Sequence, residues 1–115
     1  MKITLKDILV KVSANIVQGD RNTLIEGITQ DSREVKPGFI YIAIKGYASD
    51  GHKFIEGAIN SGAIAIVCEQ LPKSISSDPA LIHVDDSRKT LAIMAANFYG
   101  NPSSKLAMVG FTGTN

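Results

Sequence analysis

The last residues of the chain have the types and order that begin a phosphate-binding loop. An apolar run, 106–109, leads into the sequence GFTGTN at 110–115. A complete loop of this kind supplies backbone N–H groups that face the phosphates, a lysine, and a Ser or Thr hydroxyl for magnesium. The run and half of the turn are present, without the lysine and the magnesium ligand. We therefore expect this segment to mark a domain boundary in a larger nucleotide-using enzyme.

Two polar loops, 30–33 and 46–51, could bind an anionic or nucleobase-like ligand. They read QDSR and GYASDG, and each follows a predicted strand. If those strands are parallel neighbours, both loops lie at the carboxyl edge of the sheet, where open α/β sheets bind ligands. A serine hydroxyl, an arginine fork and glycine-exposed N–H groups suit a phosphate or the edge of a base. On these features alone, an unliganded surface loop stays the alternative.

The two histidines and the single cysteine are predicted to have structural roles. His52 follows an Asp-Gly pair at a predicted helix start, and His83 lies within an apolar strand. One cysteine and two distant histidines do not have the spacing of a zinc site. Cys68 lies in the apolar run 63–68, which predicts a buried and unreactive thiol. No convincing catalytic constellation is present.

Composition and charge argue against several classes of partner. The chain has 115 residues, 44% of them hydrophobic, with 12 Lys and Arg against 11 Asp and Glu. Such a balance gives no electrostatic footprint for nucleic acid or an anionic membrane. No apolar stretch approaches the about 18–20 residues that cross a bilayer, and the first seven residues do not resemble a signal peptide. We expect one cytoplasmic globular domain.

Hydrophobic periodicity predicts an α/β fold in the order helix, strand, strand, helix, strand, strand, helix, strand. Strands that resume after helices favour right-handed crossovers, so we expect a small three-layer fold with a mixed, largely parallel sheet and flanking helices. The helices are predicted from Leu5 to Val12 after an N-cap at Thr4, over 52–61 with Gly62 as the stop, and from an N-cap at Ser87 to the Gly-Asn-Pro at 100–102. The strands are predicted at 24–29, 39–44, 63–68, 80–84 and 106–111.

The tripeptide Asp-Ser-Arg occurs twice, at 31–33 and at 86–88. The second copy opens a predicted helix, where Asp86 and Ser87 are adequately explained as caps. The first copy lies in a loop between strands, where helix capping cannot account for it. Of the two copies, only the first is therefore a candidate for ligand binding.

Several motifs in order resemble the N-terminal domain of the Mur ligases. They are DSR at 31–33, VKPG followed by FIYIAIKG at 35–46, DGHKFI at 50–55 and GAIAIV at 62–67. The later stretches VDDSR at 84–88, FYGNPS at 98–103 and VGFTGTN at 109–115 are similar to the MurE type, which adds the third peptide residue. The resemblance covers the chain from about residue 24.

The resemblance implies three domains and an ATP-dependent ligase of peptidoglycan precursor synthesis. Residues 1–104 would be the N-terminal domain that binds the UDP end of UDP-MurNAc-L-Ala-D-Glu. Residues 105–115 would be the first strand and truncated P-loop of a central ATPase domain. ATP and Mg²⁺ would activate the precursor carboxylate as an acyl phosphate, which the incoming amine attacks. The 115 residues alone should be inactive, because the central and C-terminal domains complete the enzyme.

The family's binding positions carry over residue by residue. Ser32 matches a serine that contacts the UDP group, and Gln30 lies at a neighbouring contact position. Arg33 would either assist the diphosphate or brace its loop through Asp31, and bracing is favoured. Where the MurE type commonly has His-Gln-Ala lining the uracil, this chain has Tyr47, Ala48 and Ser49. The beginning of the ATP loop matches Gly113, Thr114 and Asn115.

Two alternatives to a MurE-type ligase stay open. One is a MurF-type ligase, which adds the terminal dipeptide. The other is a non-catalytic module that binds a nucleotide or a protein partner. The resemblance implies that the residues which select diaminopimelate or lysine as the added amino acid lie outside this sequence.

Overall fold

A five-stranded sheet with helices on both faces organises the protein. The computed structural model describes residues 3–46, 49–73 and 78–100. The predictions for Tyr47, Ala48, strand 106–111 and the 113–115 segment lie outside the described residues. The helices are α1 (Leu5–Ile8), α2 (Ile55–Asn60) and α3 (Ser87–Tyr99), and 3₁₀ turns occupy Ser32–Glu34 and Gly51–Phe54. The strands are β1 (Ala14–Gln18), β2 (Gly27–Thr29), β3 (Phe39–Ile42), β4 (Ala65–Cys68) and β5 (Ala80–Val84).

The sheet is mixed and largely parallel, as the sequence predicts. Its strand order is β1-β5-β4-β3-β2, in which the last four strands run parallel and β1 pairs antiparallel with β5. The carboxyl ends of β2, β3, β4 and β5 therefore lie along one edge. The loops that follow β2 and β3 are neighbours there because those two strands are paired.

Two separate cores confirm the three-layer arrangement. Side chains alternate between the faces of a strand, so Ile40 and Ile42 of β3 lie in one core and Tyr41 in the other. The first core includes residues of α1 and α3, such as Leu5 and Met94. The second packs the sheet against α2. Helices therefore cover both faces of the sheet.

The N-terminal region differs most from the sequence-based expectation. Thr4 and Asp7 form a reciprocal capping box, which confirms the predicted N-cap. The helix nevertheless ends at Ile8, and Lys11 adopts a positive φ of 65°, a conformation that no helix continues through. Strand β1 was not predicted. It is an edge strand with half-buried side chains and a register shift between Ile16 and Gln18, so its pattern is weak.

Elsewhere in the described residues the predicted elements form with shifted boundaries, and the helix predicted at 52–61 begins as the 3₁₀ turn Gly51–Phe54 before α2. Strand β5 has the predicted bounds, whereas β2, β3 and β4 are shorter than predicted. The prediction that Ser87 caps α3 is wrong by one residue. The Asp86 carboxylate accepts the bond from the Lys89 N–H, and Ser87 is the first helical residue. Gly62 has a φ of 114°, which confirms it as the residue that stops α2.

Candidate functional site

The two polar loops meet at an open cleft of about 660 Å³ on the carboxyl edge of the sheet. Four of the predicted site residues line it, namely Gln30, Ser32, Arg33 and Ser49, and Arg88 of α3 lines it as well. The sequence-based expectation that the loops after β2 and β3 come together is thus confirmed. Whether the predicted residues bind a ligand stays a prediction.

Hydrogen bonds within the first loop hold Arg33 against Asp31. The Thr29 hydroxyl accepts the Asp31 N–H at 3.0 Å, and the Asp31 carboxylate accepts the Arg33 N–H at 2.9 Å. The guanidinium of Arg33 then donates to both oxygens of the same carboxylate, from Nε at 3.0 Å and from Nη2 at 2.9 Å. These bonds from Arg33 lower the pKa of Asp31. Arg33 thus makes the contacts with Asp31 that the bracing interpretation requires, and whether it also binds a diphosphate stays a prediction.

Ser32 begins the 3₁₀ turn and faces the cleft with an uncommitted hydroxyl. Its carbonyl accepts the Val35 N–H, which closes the turn. Over the described ranges, no hydrogen-bond partner engages its hydroxyl, and the residue is half-buried. A hydroxyl can both donate and accept. Ser32 can therefore exchange a hydrogen bond with a ligand without first breaking one.

The second loop closes tightly against the end of β3. The Gly46 N–H donates to the Ser49 carbonyl at 2.8 Å, and the Gly51 N–H donates to the Ile44 carbonyl at 2.8 Å. A Cβ on Gly51 would lie 2.7 Å from the Ile44 nitrogen, so this close approach requires glycine. The hydroxyl of buried Tyr41 donates to the Gly51 carbonyl at 2.8 Å. Burial is the main cause that raises the pKa of Tyr41, which keeps this hydroxyl a donor.

His52 joins the second loop to the end of β4. Its Nε2 accepts the N–H groups of Glu69 at 3.0 Å and of Gln70 at 3.2 Å. Because Nε2 accepts, the neutral ring carries its proton on Nδ1, which lies 2.6 Å from the Asp50 carboxylate. Hydrogen bonds from His52 lower the pKa of Asp50. The geometry supports the structural role that the sequence predicts for His52.

Glu69 connects three elements at the same edge. Besides its N–H bond to His52, its carbonyl accepts a bond from His83 Nε2 at 3.0 Å. Its carboxylate accepts the Ser87 N–H at 2.7 Å, at the start of α3. Among the residues that the structure describes, no group of His, Cys, Asp and Glu could hold a metal ion. This network fixes α3 relative to the second loop.

Besides Phe54, the residues predicted from the sequence omit Arg88, which lines the cleft. Its Nη2 donates to the Lys45 carbonyl at 3.1 Å, at the base of the second loop. The second copy of Asp-Ser-Arg was interpreted only as helix capping, so its arginine was not considered. The repeated tripeptide was the signal that could have identified it.

Cys68 does not line the cleft, and its thiol is buried. It is fully buried in the core under α2, and burial raises the pKa of its thiol to about 11. A thiol with such a pKa is almost entirely protonated near neutral pH, and the thiolate is the nucleophile. The predicted buried, unreactive cysteine is confirmed.

A family model described as "Mur ligase family, catalytic domain" matches residues 24–99, which include every described residue that lines the cleft. The chain belongs to the Mur ligase family. The resemblance inferred from the motifs is thereby confirmed.

Curated Mur ligases similar to the chain are named as diaminopimelate ligases. The UDP-N-acetylmuramoyl-L-alanyl-D-glutamate--2,6-diaminopimelate ligase of Cytophaga hutchinsonii is 47% identical over 112 residues, which is 96% of this chain and 23% of that protein. The ligase of the same name from Clostridium tetani is 47% identical over 113 residues, with the same shares. The chain thus spans about a quarter of the length of these relatives.

Solved Mur ligase structures share the fold. MurF from Acinetobacter baumannii has a TM-score of 0.72 at 22% identity, over 87% of this chain and 21% of that one. MurF from Thermotoga maritima in complex with ADP has a TM-score of 0.55 at 38% identity, over 66% of this chain and 17% of that one. The α/β architecture is therefore that of Mur ligases. Within the described ranges, the longest apolar helices fall short of what spanning a membrane requires.

Proposed function

We propose that the cleft binds the uridine diphosphate end of UDP-MurNAc-L-Ala-D-Glu. The observation that carries this proposal is the meeting of the two predicted loops at one cleft, with the Ser32 hydroxyl uncommitted. Ligands in open α/β sheets bind at the carboxyl ends of the strands, where this cleft lies. The ligases that the chain resembles are named for this precursor.

The residues of the cleft suit the parts of such a nucleotide. The side-chain amide of exposed Gln30 offers a donor and an acceptor to the edge of uracil. The ring of Phe54 is 45% exposed and lines the cleft, where a base can stack on it. The hydroxyl of Ser32 can donate to phosphate or ribose oxygens. Tyr47, Ala48 and Ser49 form the uracil-lining loop in this proposal.

The whole enzyme, in this proposal, adds the third peptide residue to the precursor. ATP would transfer a phosphoryl group to the precursor carboxylate, giving an acyl phosphate and ADP, with Mg²⁺ bound to its phosphates. Gly113, Thr114 and Asn115 would begin the loop that holds ATP. Residues 1–104 form the substrate-recognition domain and 105–115 begin the ATPase domain. The names of the relatives favour diaminopimelate as the added residue. The cytoplasm, where nucleotide-linked precursors are made, is the proposed location.

The alternative activity is that of a MurF-type ligase, favoured by the Thermotoga maritima structure at 38% identity. An assay of the protein encoded by the full reading frame separates the two. A MurE-type enzyme consumes UDP-MurNAc-L-Ala-D-Glu, one amino acid and ATP, whereas a MurF-type enzyme consumes the tripeptide precursor and a dipeptide. A reading frame that does not continue into Gly-Lys-Thr after Asn115 would favour a non-catalytic module.

Binding to the cleft is tested by titrating the chain with UDP and recording amide chemical shifts. We expect millimolar UDP to shift amides of 30–33 and 46–51, and ADP to shift them less because the proposed base site fits uracil. A Ser32→Ala variant, which removes one hydroxyl and no core contact, should need more UDP to reach the same shifts. Absence of shifts in both loops at millimolar UDP would refute the site.

A further inference from the structure

We propose that Arg88 is the cationic residue of the cleft that binds the diphosphate of the nucleotide. This inference rests on the proposed function and assigns a role to a residue outside the two loops. Two arginines line the described part of the cleft, Arg33 and Arg88. They differ in how much of their charge and hydrogen-bonding capacity is already used.

The charge of Arg33 is offset by a carboxylate of its own loop. Its guanidinium forms two hydrogen bonds with the Asp31 carboxylate, at 3.0 Å from Nε and 2.9 Å from Nη2. The pair is formally neutral, and the side chain of Arg33 is 87% exposed to solvent. Two of its five N–H donors are thereby used, and a phosphate at its remaining edge would meet a guanidinium whose charge Asp31 already offsets. The first loop therefore contributes a brace and little net charge.

Arg88 keeps its charge unpaired. Among the residues that the structure describes, its one hydrogen bond, at 3.1 Å, is to the neutral carbonyl of Lys45. No carboxylate of the described chain forms an ion pair with it. A guanidinium has five N–H donors, so most of its donors stay available. Since Asp31 offsets Arg33, Arg88 gives the lining of the cleft its positive charge.

The side chain of Arg88, and not the helix end beside it, offers the donors. The Ser87 N–H is bonded to the Glu69 carboxylate at 2.7 Å, and the Lys89 N–H to the Asp86 carboxylate at 3.1 Å. Two carboxylates thus already occupy two of the amide groups at the start of α3. An anion in the cleft would meet the guanidinium, which its bond to the Lys45 carbonyl holds at the base of the second loop.

Comparing UDP with uridine isolates the contribution of the phosphates. Dissociation constants for both ligands are measured by NMR titration of the 115-residue chain and its variants Arg88→Gln and Arg33→Gln. We expect Arg88→Gln to weaken UDP about tenfold and uridine less than about twofold, as for loss of a hydrogen bond to a charged group. Arg33→Gln should change the UDP-to-uridine ratio by less than about threefold, because its charge is already offset.

A positioning role would produce a different result. If Arg88→Gln weakens UDP and uridine by the same factor, Arg88 only holds the second loop and the proposal is overturned. An unchanged UDP affinity in Arg88→Gln overturns it as well. If the wild-type chain binds neither ligand at the cleft, the proposed function fails together with this inference.

Arg88→Lys provides a second variant in case Arg88→Gln unfolds. Lysine keeps the charge and a donor for the Lys45 carbonyl, so this variant should bind UDP several times more tightly than uridine. Its UDP affinity should also fall as salt is raised, because a charge contact is screened. Equal affinities for UDP and uridine in Arg88→Lys would contradict a role for the charge.

Discussion

The two Asp-Ser-Arg segments have the same residues, but the side chains of those residues make different hydrogen bonds. At 31–33, aspartate caps a 3₁₀ turn and also binds the arginine side chain. At 86–88, aspartate caps an α-helix, and the arginine side chain bonds to a carbonyl of another loop. The serines differ as well, since Ser32 is half-buried at the cleft while Ser87 is completely buried.

The difference shows that backbone geometry decides what a short motif can do. In the 3₁₀ turn, the Asp31 carboxylate accepts the N–H two residues on, which also brings the Arg33 guanidinium within reach. In the α-helix, the Asp86 carboxylate accepts the N–H three residues on, at Lys89. Arg88 is then free to extend across to the Lys45 carbonyl. One segment supplies a neutral, braced loop and the other an unpaired charge.

The strongest perturbation should be removal of the carboxylate that fixes the second segment. Glu69→Ala leaves the Ser87 N–H without its charged acceptor in a half-buried place. We expect unfolding free energy to fall by about 2 kcal/mol, as for a hydrogen bond to a charged group. Urea denaturation followed by circular dichroism measures it. Glu69→Gln, which keeps an acceptor oxygen, should lose less, and equal losses would argue against this bond.

Removing the capping aspartate of each Asp-Ser-Arg segment should have the next largest effect on stability, and the effect should differ between the two segments. Asp86→Ala should lower the unfolding free energy by about 1 kcal/mol, because α3 loses an N-cap. Asp31→Ala should have a smaller effect, since it removes exposed contacts at a single turn. Both are measured by the same denaturation experiment. If Asp31→Ala lost more unfolding free energy than Asp86→Ala, the cap of α3 would not be the more important of the two for stability.

Much of this organisation could be predicted from the sequence. The apolar run 80–84 predicted β5 with its bounds, and parallel pairing of β2 with β3 was enough to bring the two loops together. Strand β1 was missed because an edge strand with exposed Asn15 and a register shift has a weak pattern. Arg88 was missed because its partner is a backbone carbonyl 43 positions away, which leaves no side-chain signature.

Loss of the serine hydroxyl should affect UDP binding in the first segment and not in the second. Ser32→Ala should weaken UDP binding about threefold and leave stability unchanged, because the hydroxyl faces the cleft without a partner among the described residues. Ser87→Ala should leave UDP binding unchanged and keep or raise stability, since its buried hydroxyl has no partner in the described structure. Paired NMR titrations and thermal unfolding measure both. Loss of stability in Ser87→Ala would show that the hydroxyl is bonded.

The smallest expected change is in the titration of Asp31. Hydrogen bonds from Arg33 lower the pKa of Asp31 below its ordinary value of 3.8. The stabilisation from this pair is therefore present above that value and is lost as the pH falls through the lowered pKa. In Arg33→Gln, the pKa should rise toward 3.8, whereas Arg88→Gln should leave it in place. Carboxyl carbon shifts against pH test this, and an unchanged pKa in Arg33→Gln would contradict the brace.

A crystal structure of the chain with UDP would test the central claim most directly. The account predicts uracil and diphosphate in the cleft, with Ser32 and Arg88 in hydrogen-bonding contact with the nucleotide and Arg33 still bonded to Asp31. Nucleotide density away from the two loops would contradict it. A diphosphate bound by Arg33 after release from Asp31, with Arg88 still on the Lys45 carbonyl alone, would keep the cleft and overturn the difference between the two segments.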